Sequence, residues 1–244
     1  MKRLLLLLLA LAACQGKRET PVEPAYTALE YTRAGVPAPD HVWSVAEHGT
    51  AATALATIVD GHRERLPRAT SAVFARMIEL GTFDDSLPID QRLGQHVDRF
   101  QAAIELSRLY NKDGAELPST EWIELMTVAL HEAATMSKLV DPYFQSLPAD
   151  DPQRQVRLDG LAKMRAGWSG MLQGGLLVAD NNLVAVRDRV RLLAAIEDAV
   201  PALFPLLPAA DQAGVRDLAT KLVGSPEVRV REPAARIAKL AAAK

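Results

Sequence analysis

The sequence predicts an all-α protein, built as an elongated antiparallel bundle of four to five long helices with a short-helix C-terminal appendage. Three observations lead there. Ala, Leu and Arg are abundant while Phe, Tyr and Trp together make up only 5% of the chain, a balance that favours helix over sheet. Turn signals recur at even intervals: Leu87-Pro88-Ile89-Asp90, Leu117-Pro118-Ser119-Thr120 and Leu147-Pro148-Ala149-Asp150 are spaced by thirty residues. Between them, apolar residues repeat every three or four positions, the period of an amphipathic helix.

The first element is a targeting segment. Lys2 and Arg3 precede an unbroken leucine run, Leu4 to Leu9, too short for the roughly 20 apolar residues that span a bilayer. Leu11-Ala12-Ala13-Cys14 follows, and Cys14 is the chain's one cysteine. This arrangement resembles the type II signal peptide of bacterial lipoproteins. The resemblance implies that Leu11, Ala12 and Ala13 are read by the processing enzymes, that residues 1–13 are removed, and that Cys14 carries the lipid. Multiple acyl chains on one residue give a permanent anchor where a single chain holds only marginally. Gln15 after the cysteine, in place of Asp, implies export to the periplasmic face of an outer membrane. An ordinary secretory signal cut after Ala10-Leu11-Ala12 is the competing reading, and the position of the sole cysteine argues against it.

Processing would leave 231 residues and take the formal charge from −2 to −4 as Lys2 and Arg3 depart. A weakly acidic envelope protein has no electrostatic footprint for nucleic acid. One cysteine also excludes an intrachain disulfide and a cysteine-rich metal site.

Residues 14–40 read as the lipidated cysteine and a tether, with Pro21, Pro24, Pro37 and Pro39 and little apolar periodicity. A flexible coil of this length spans roughly 30 Å. Within it, Tyr26, Leu29 and Arg33 are spaced to form one helical turn that docks on the domain.

The bundle is expected over residues 41–205. Its stripes are Leu93, Val97, Phe100, Ile104 and Ser107; then Trp122, Leu125, Met126, Ala129, Ala133, Met136 and Val140. Next come Leu161, Met164, Trp168, Met171, Leu172, Gly175 and Ala179, and finally Leu183, Val186, Val190, Leu193 and Val200. Each turn is a helix start, since proline ends one helix and Asp, Ser or Thr caps the next. Leu177-Val178-Ala179-Asp180 keeps the thirty-residue register without a proline, and Leu207 to Asp211 resumes it. Equal helix lengths explain the interval better than duplication, because similarity outside the turns is thin. Pro201, Pro205, Pro208, Pro226 and Pro233 forbid a long helix near the C-terminus and predict short helices near 209–223 and 233–243, within the appendage expected over 206–244.

Two stripes invite a functional reading. His41, His48 and His62 share a heptad register. On one helix, residues seven apart lie about 10.5 Å apart along the axis, too far to share a metal. No histidine has a carboxylate three or four residues away, so no metal or cofactor is assigned. Gly160, Gly167 and Gly174 also repeat every seven residues. Interior glycine costs about 1 kcal/mol against alanine, so the expectation is a close helix contact with the small-residue run near 49–57. No catalytic motif is visible: there is no Gly-x-Ser-x-Gly, no His-Glu-x-x-His and no Gly-Lys-Ser/Thr. The expected function is therefore non-enzymatic, an envelope protein-interaction or assembly module. The alternative is a small-ligand or metal-binding bundle that uses the glycine stripe or the histidines.

Overall fold

A computed structural model describes residues 26–60, 62–111 and 117–242. Leu11, Ala12, Ala13 and Cys14 lie outside the described residues. Among those described, helix dominates, and the one β feature is an isolated parallel bridge between Ser44 and Thr82. None of these helices is long and apolar enough to cross a membrane.

The segment read as tether is folded from Tyr26 onward. Helix α1 (Ala28–Arg33) is opened by a capping box in which Thr27 and Glu30 satisfy each other's backbone N–H groups. It is closed by a Schellman turn: Val36 N–H donates to Tyr31 O at 2.9 Å, and Gly35 adopts φ +99°, where a side chain would be strained. Tyr31 and Val36 are buried, and the Tyr31 hydroxyl donates to Arg65 O at 2.7 Å. The contacts therefore come from Tyr31 and Val36, while Leu29 points outward at 59% exposure. Proline-rich composition hid this, because two buried side chains in fifteen residues give no periodic signal.

Helix α2 (Val45–Val59) has its own capping box, Ser44 with Glu47, and ends at Asp60 in the left-handed conformation. A short α3 (Ala72–Ile78) follows, capped by Ser71. The long helices are α4 (Ile89–Tyr110), α5 (Thr120–Ser146), α6 (Arg154–Asp180) and α7 (Val186–Leu203). The Pro88 and Pro118-Ser119 signals mark the starts of α4 and α5, where Ser119 accepts from Trp122 N–H at 3.2 Å. Leu177–Asp180 is instead the last turn of α6. Without a proline nothing there interrupts the hydrogen-bond ladder. The Arg189 guanidinium then reaches back and donates from Nε to Ala179 O at 2.6 Å, closing that helix end.

The bundle is not antiparallel throughout. Thr120 and Asp188, at the starts of α5 and α7, share a hydrogen bond of 2.8 Å, and one turn on Glu124 pairs with Arg191. The two helices therefore run parallel, and α6 is the return path between them, touching α5 only lightly. Packing runs from α2 to α4 to α5 to α7.

The C-terminal helices α8 (Ala209–Val223) and α9 (Val228–Ala242) are short, as expected, and their buried faces belong to the bundle's own core. With α6 and α7 they close a four-helix ring. Val215, Ala219, Leu222, Val230, Ala234, Ile237 and Ala241 share one core with Leu130, Trp168, Leu172 and Ile196. Pro208 stands at the α8 N-cap, whereas Pro201 lies inside α7 and Pro233 inside α9, each forfeiting one backbone hydrogen bond without ending its helix there. A second core, under α1, α2 and α3, gathers Tyr31, Trp43, Leu55, Phe74 and Met77 against Leu106, Tyr110 and Leu125.

Candidate functional site

The stripe assigned to α4 is only its flank. Leu93, Val97, Phe100 and Ile104 are half-buried against the main core, and the deepest face carries Arg99, Ala102, Ala103 and Leu106. Because α4 is sandwiched between α2 and α5, a charged side chain ends up in the interior. Arg99 is fully buried, and its Nη2 donates to Met77 O and Glu79 O, both at 2.8 Å. These carbonyls belong to the end of α3 and the residue after it, so Arg99 ties that turn to α4. Burial lowers its pKa to about 10, and the nearby Glu132 carboxylate works against that shift.

Glu132 on α5 is also fully buried. It holds His96 of α4 through Nδ1 at 2.7 Å, and the His96 ring stacks on Phe83 at 4.3 Å. His48 of α2 completes the group. It is fully buried, edge-on to Trp43 at 5.5 Å, and neither ring nitrogen has a hydrogen-bond partner. Burial, reinforced by the Arg99 charge, pushes its pKa down to about 3. Nε and Nη1 of Arg99 and Oε1 of Glu132 also lack partners. Buried polar atoms of this kind cost free energy unless something satisfies them.

The proposed histidine stripe does not exist as one surface. His41 precedes α2 and is held by Asp40 at 3.0 Å and Glu47 at 2.6 Å. His62 lies beyond the end of α2 and pairs with Glu64 at 2.8 Å. The helix stops at Asp60, so the heptad register is broken before it reaches His62. Among the described residues, no group of three or more His, Cys, Asp or Glu is arranged to hold a metal ion.

The glycine stripe also faces elsewhere than expected. A Cβ built on Gly160, Gly167, Gly170 or Gly174 meets nothing within 4 Å. The core side of α6 is set by Leu161, Trp168, Leu172 and Ala179, which turns the glycines toward solvent. The run near 49–57 lies on α2, which packs on α4, away from α6. The close approach belongs to Gly175, whose added Cβ would stand 2.8 Å from Ile196 Cδ1. Gly167→Ala is accordingly expected to raise stability by about 0.5–1 kcal/mol, read as a higher midpoint in urea unfolding. A lower midpoint would mean that the site is covered.

At the other end of α5, a cleft of about 610 Å³ is lined by Arg68, Arg187 and Arg191 together with Glu121, Glu124 and Asp188. Its charges balance, and most are already engaged: Glu121 accepts from Ala69 N–H at 2.9 Å, and Arg191 pairs with Glu124. The cleft is therefore a cross-link between α5, α7 and the loop before α3, with no preference for a ligand of either sign.

Sequence reasoning missed Arg99, Glu132 and Arg189. The available signal was a lone acid in an apolar run, Glu132 between Val128-Ala129-Leu130 and Ala133-Ala134. No family model matches the chain, and no curated protein or solved structure is significantly similar to it.

Proposed function

We propose that this chain is a lipid-anchored protein of a bacterial envelope, held through Cys14 at the periplasmic face of the outer membrane, whose helical domain binds another envelope protein without catalysis. The lipobox Leu11-Ala12-Ala13-Cys14 around the only cysteine carries the reading. The outer face of α6 supports the interaction half. Gly160, Gly167 and Gly174 leave the helix backbone open there, and Val156 and Leu177 are 71% and 54% exposed. Such a face allows another helix to approach closely and gain dispersion contacts.

The test has two arms. Intact mass of the native protein should show acyl chains on Cys14, and Cys14→Ser should move the protein from the membrane to the soluble fraction. Unchanged fractionation of Cys14→Ser would defeat the anchor. Crosslinking in the envelope should capture one partner, and Gly167→Leu should lose it without lowering the melting temperature.

A second reading, small-ligand binding, draws on the unpartnered polar atoms of Arg99, Glu132 and His48. Native mass spectrometry of the protein purified from its envelope separates the two. A stoichiometric bound small molecule would favour the second.

A further inference from the structure

We propose that residues 26–60 form an acid-released clamp: as the medium acidifies, His48 takes up a proton it cannot keep beside Arg99, and α1 and α2 detach from α4 while the α5–α9 core stays folded.

The geometry around His48 works against a charged ring: the Glu47 carboxylate favours it, but burial and the Arg99 charge outweigh that. Trp43 covers one edge, and the backbone at Gly81 closes over another, where even an added Cβ would lie 3.4 Å from His48 Cδ2. Across the seam stands the Arg99 guanidinium, pinned by Met77 O and Glu79 O, so it cannot withdraw. The acids nearby each hold another group, though Oε1 of Glu132 has no partner of its own. Glu132 holds His96, and Glu47 accepts from Ser44 N–H at 2.7 Å and binds His41. The Glu79 carboxylate pairs with Arg76 at 2.6 Å. Asp98 and Glu105 line the open groove between α2 and α4, on the solvent side of the seam.

The sign follows from linkage. A histidine held near 3 in the closed form and near its ordinary 6.5 once exposed binds more protons when open. Closure is therefore at full strength above about pH 6.5 and weakens as pH falls toward 3, with the opening constant rising about tenfold per pH unit. Two neighbours modify this. His41 is raised by Asp40 and Glu47, so it favours the closed form below its folded pKa and opposes His48. Glu47, held at about 2 mainly by the Ser44 backbone, keeps the α2 cap intact until the pH falls below the ordinary carboxylate range. His41 sits at the surface, where solvent limits its effect, so the buried ring decides the direction.

Opening can stay local because Tyr31, Val36, Trp43, Leu55 and Val59 belong to a core distinct from that of Trp168 and Leu193, the two meeting at α5 through Leu125 and Trp122. Units with separate cores open independently.

The experiment is amide hydrogen exchange on the full chain, corrected for intrinsic rates, between about pH 6.5 and about pH 4.5. Amides of 45–59 should show an opening constant that rises by about 30- to 100-fold, while amides of 186–242 change little. His48→Gln and His48→Leu should each reduce the rise to about threefold or less. Equal loss of protection in both regions, no rise in 45–59, or a rise retained by either His48 variant would overturn the proposal. The regional comparison in the unsubstituted chain decides even if a variant fails to fold.

Discussion

Arg99→Ala is expected to destabilise the protein by about 2–6 kcal/mol, at about 1–3 kcal/mol for each of two buried carbonyls left without a donor. The substitution strips Met77 O and Glu79 O of their donor and leaves the buried Glu132 carboxylate with His96 as its hydrogen-bond partner and no guanidinium nearby. Against a typical total of about 5–15 kcal/mol, that loss would leave the fold marginal. Urea unfolding monitored by circular dichroism measures it. Arg99→Met combined with Glu132→Gln should be milder than Arg99→Ala alone, because methionine keeps most of the buried volume and the amide removes the buried charge, while the two carbonyls stay unpaired in both. If Arg99→Ala costs less than about 1 kcal/mol, the guanidinium is not the tie between α3 and α4.

Trp168→Ala should cost about as much, roughly 3–5 kcal/mol, because a large cavity opens in the core shared by α5 to α9. Trp168 is 1% exposed and packs where α6 meets that core. Its indole Nε1 has no hydrogen-bond partner. Trp168→Phe should therefore be much milder than Trp168→Ala, since it keeps most of the volume and removes an unsatisfied donor. The two variants together separate packing from polarity. Equal losses would mean that the indole nitrogen is satisfied and contributes.

Periodicity made the long helices legible. α5 and α6 fall within a few residues of the expected spans, and the faces containing Met126, Ala133, Trp168 and Leu172 are buried as their spacing requires. Where two neighbours cover one helix, as on α4, a single stripe misplaces the face and hides Arg99. Where burial rests on one or two side chains, as with Tyr31 and Val36, no period exists to detect. The number of prolines does not locate helix starts: α9 begins at Val228, five residues before the Pro233 that the sequence points to. The candidate site was the least legible part. Its charges lie far apart in the sequence, His48 from Glu132 above all, and only tertiary packing brings them together. The glycine repeat on α6 was visible, but spacing alone does not tell which side of a helix meets its neighbour.

The docked segment α1 changes how the domain would meet a partner. With Tyr26 already on the folded body, only residues 15–25 separate it from Cys14, and fully extended they reach about 40 Å. If Cys14 holds the protein at a bilayer, the domain is confined to a thin layer above it. Confinement acts as a raised effective concentration toward anything anchored in the same surface, and that concentration falls roughly as the −3/2 power of linker length. Releasing residues 26–60 would lengthen the linker about fourfold and dilute the domain about eightfold at short range. The same release would bring partners standing farther from the membrane within reach. With Cys14 as the anchor, docking of α1 would set the height above the bilayer at which the domain can act.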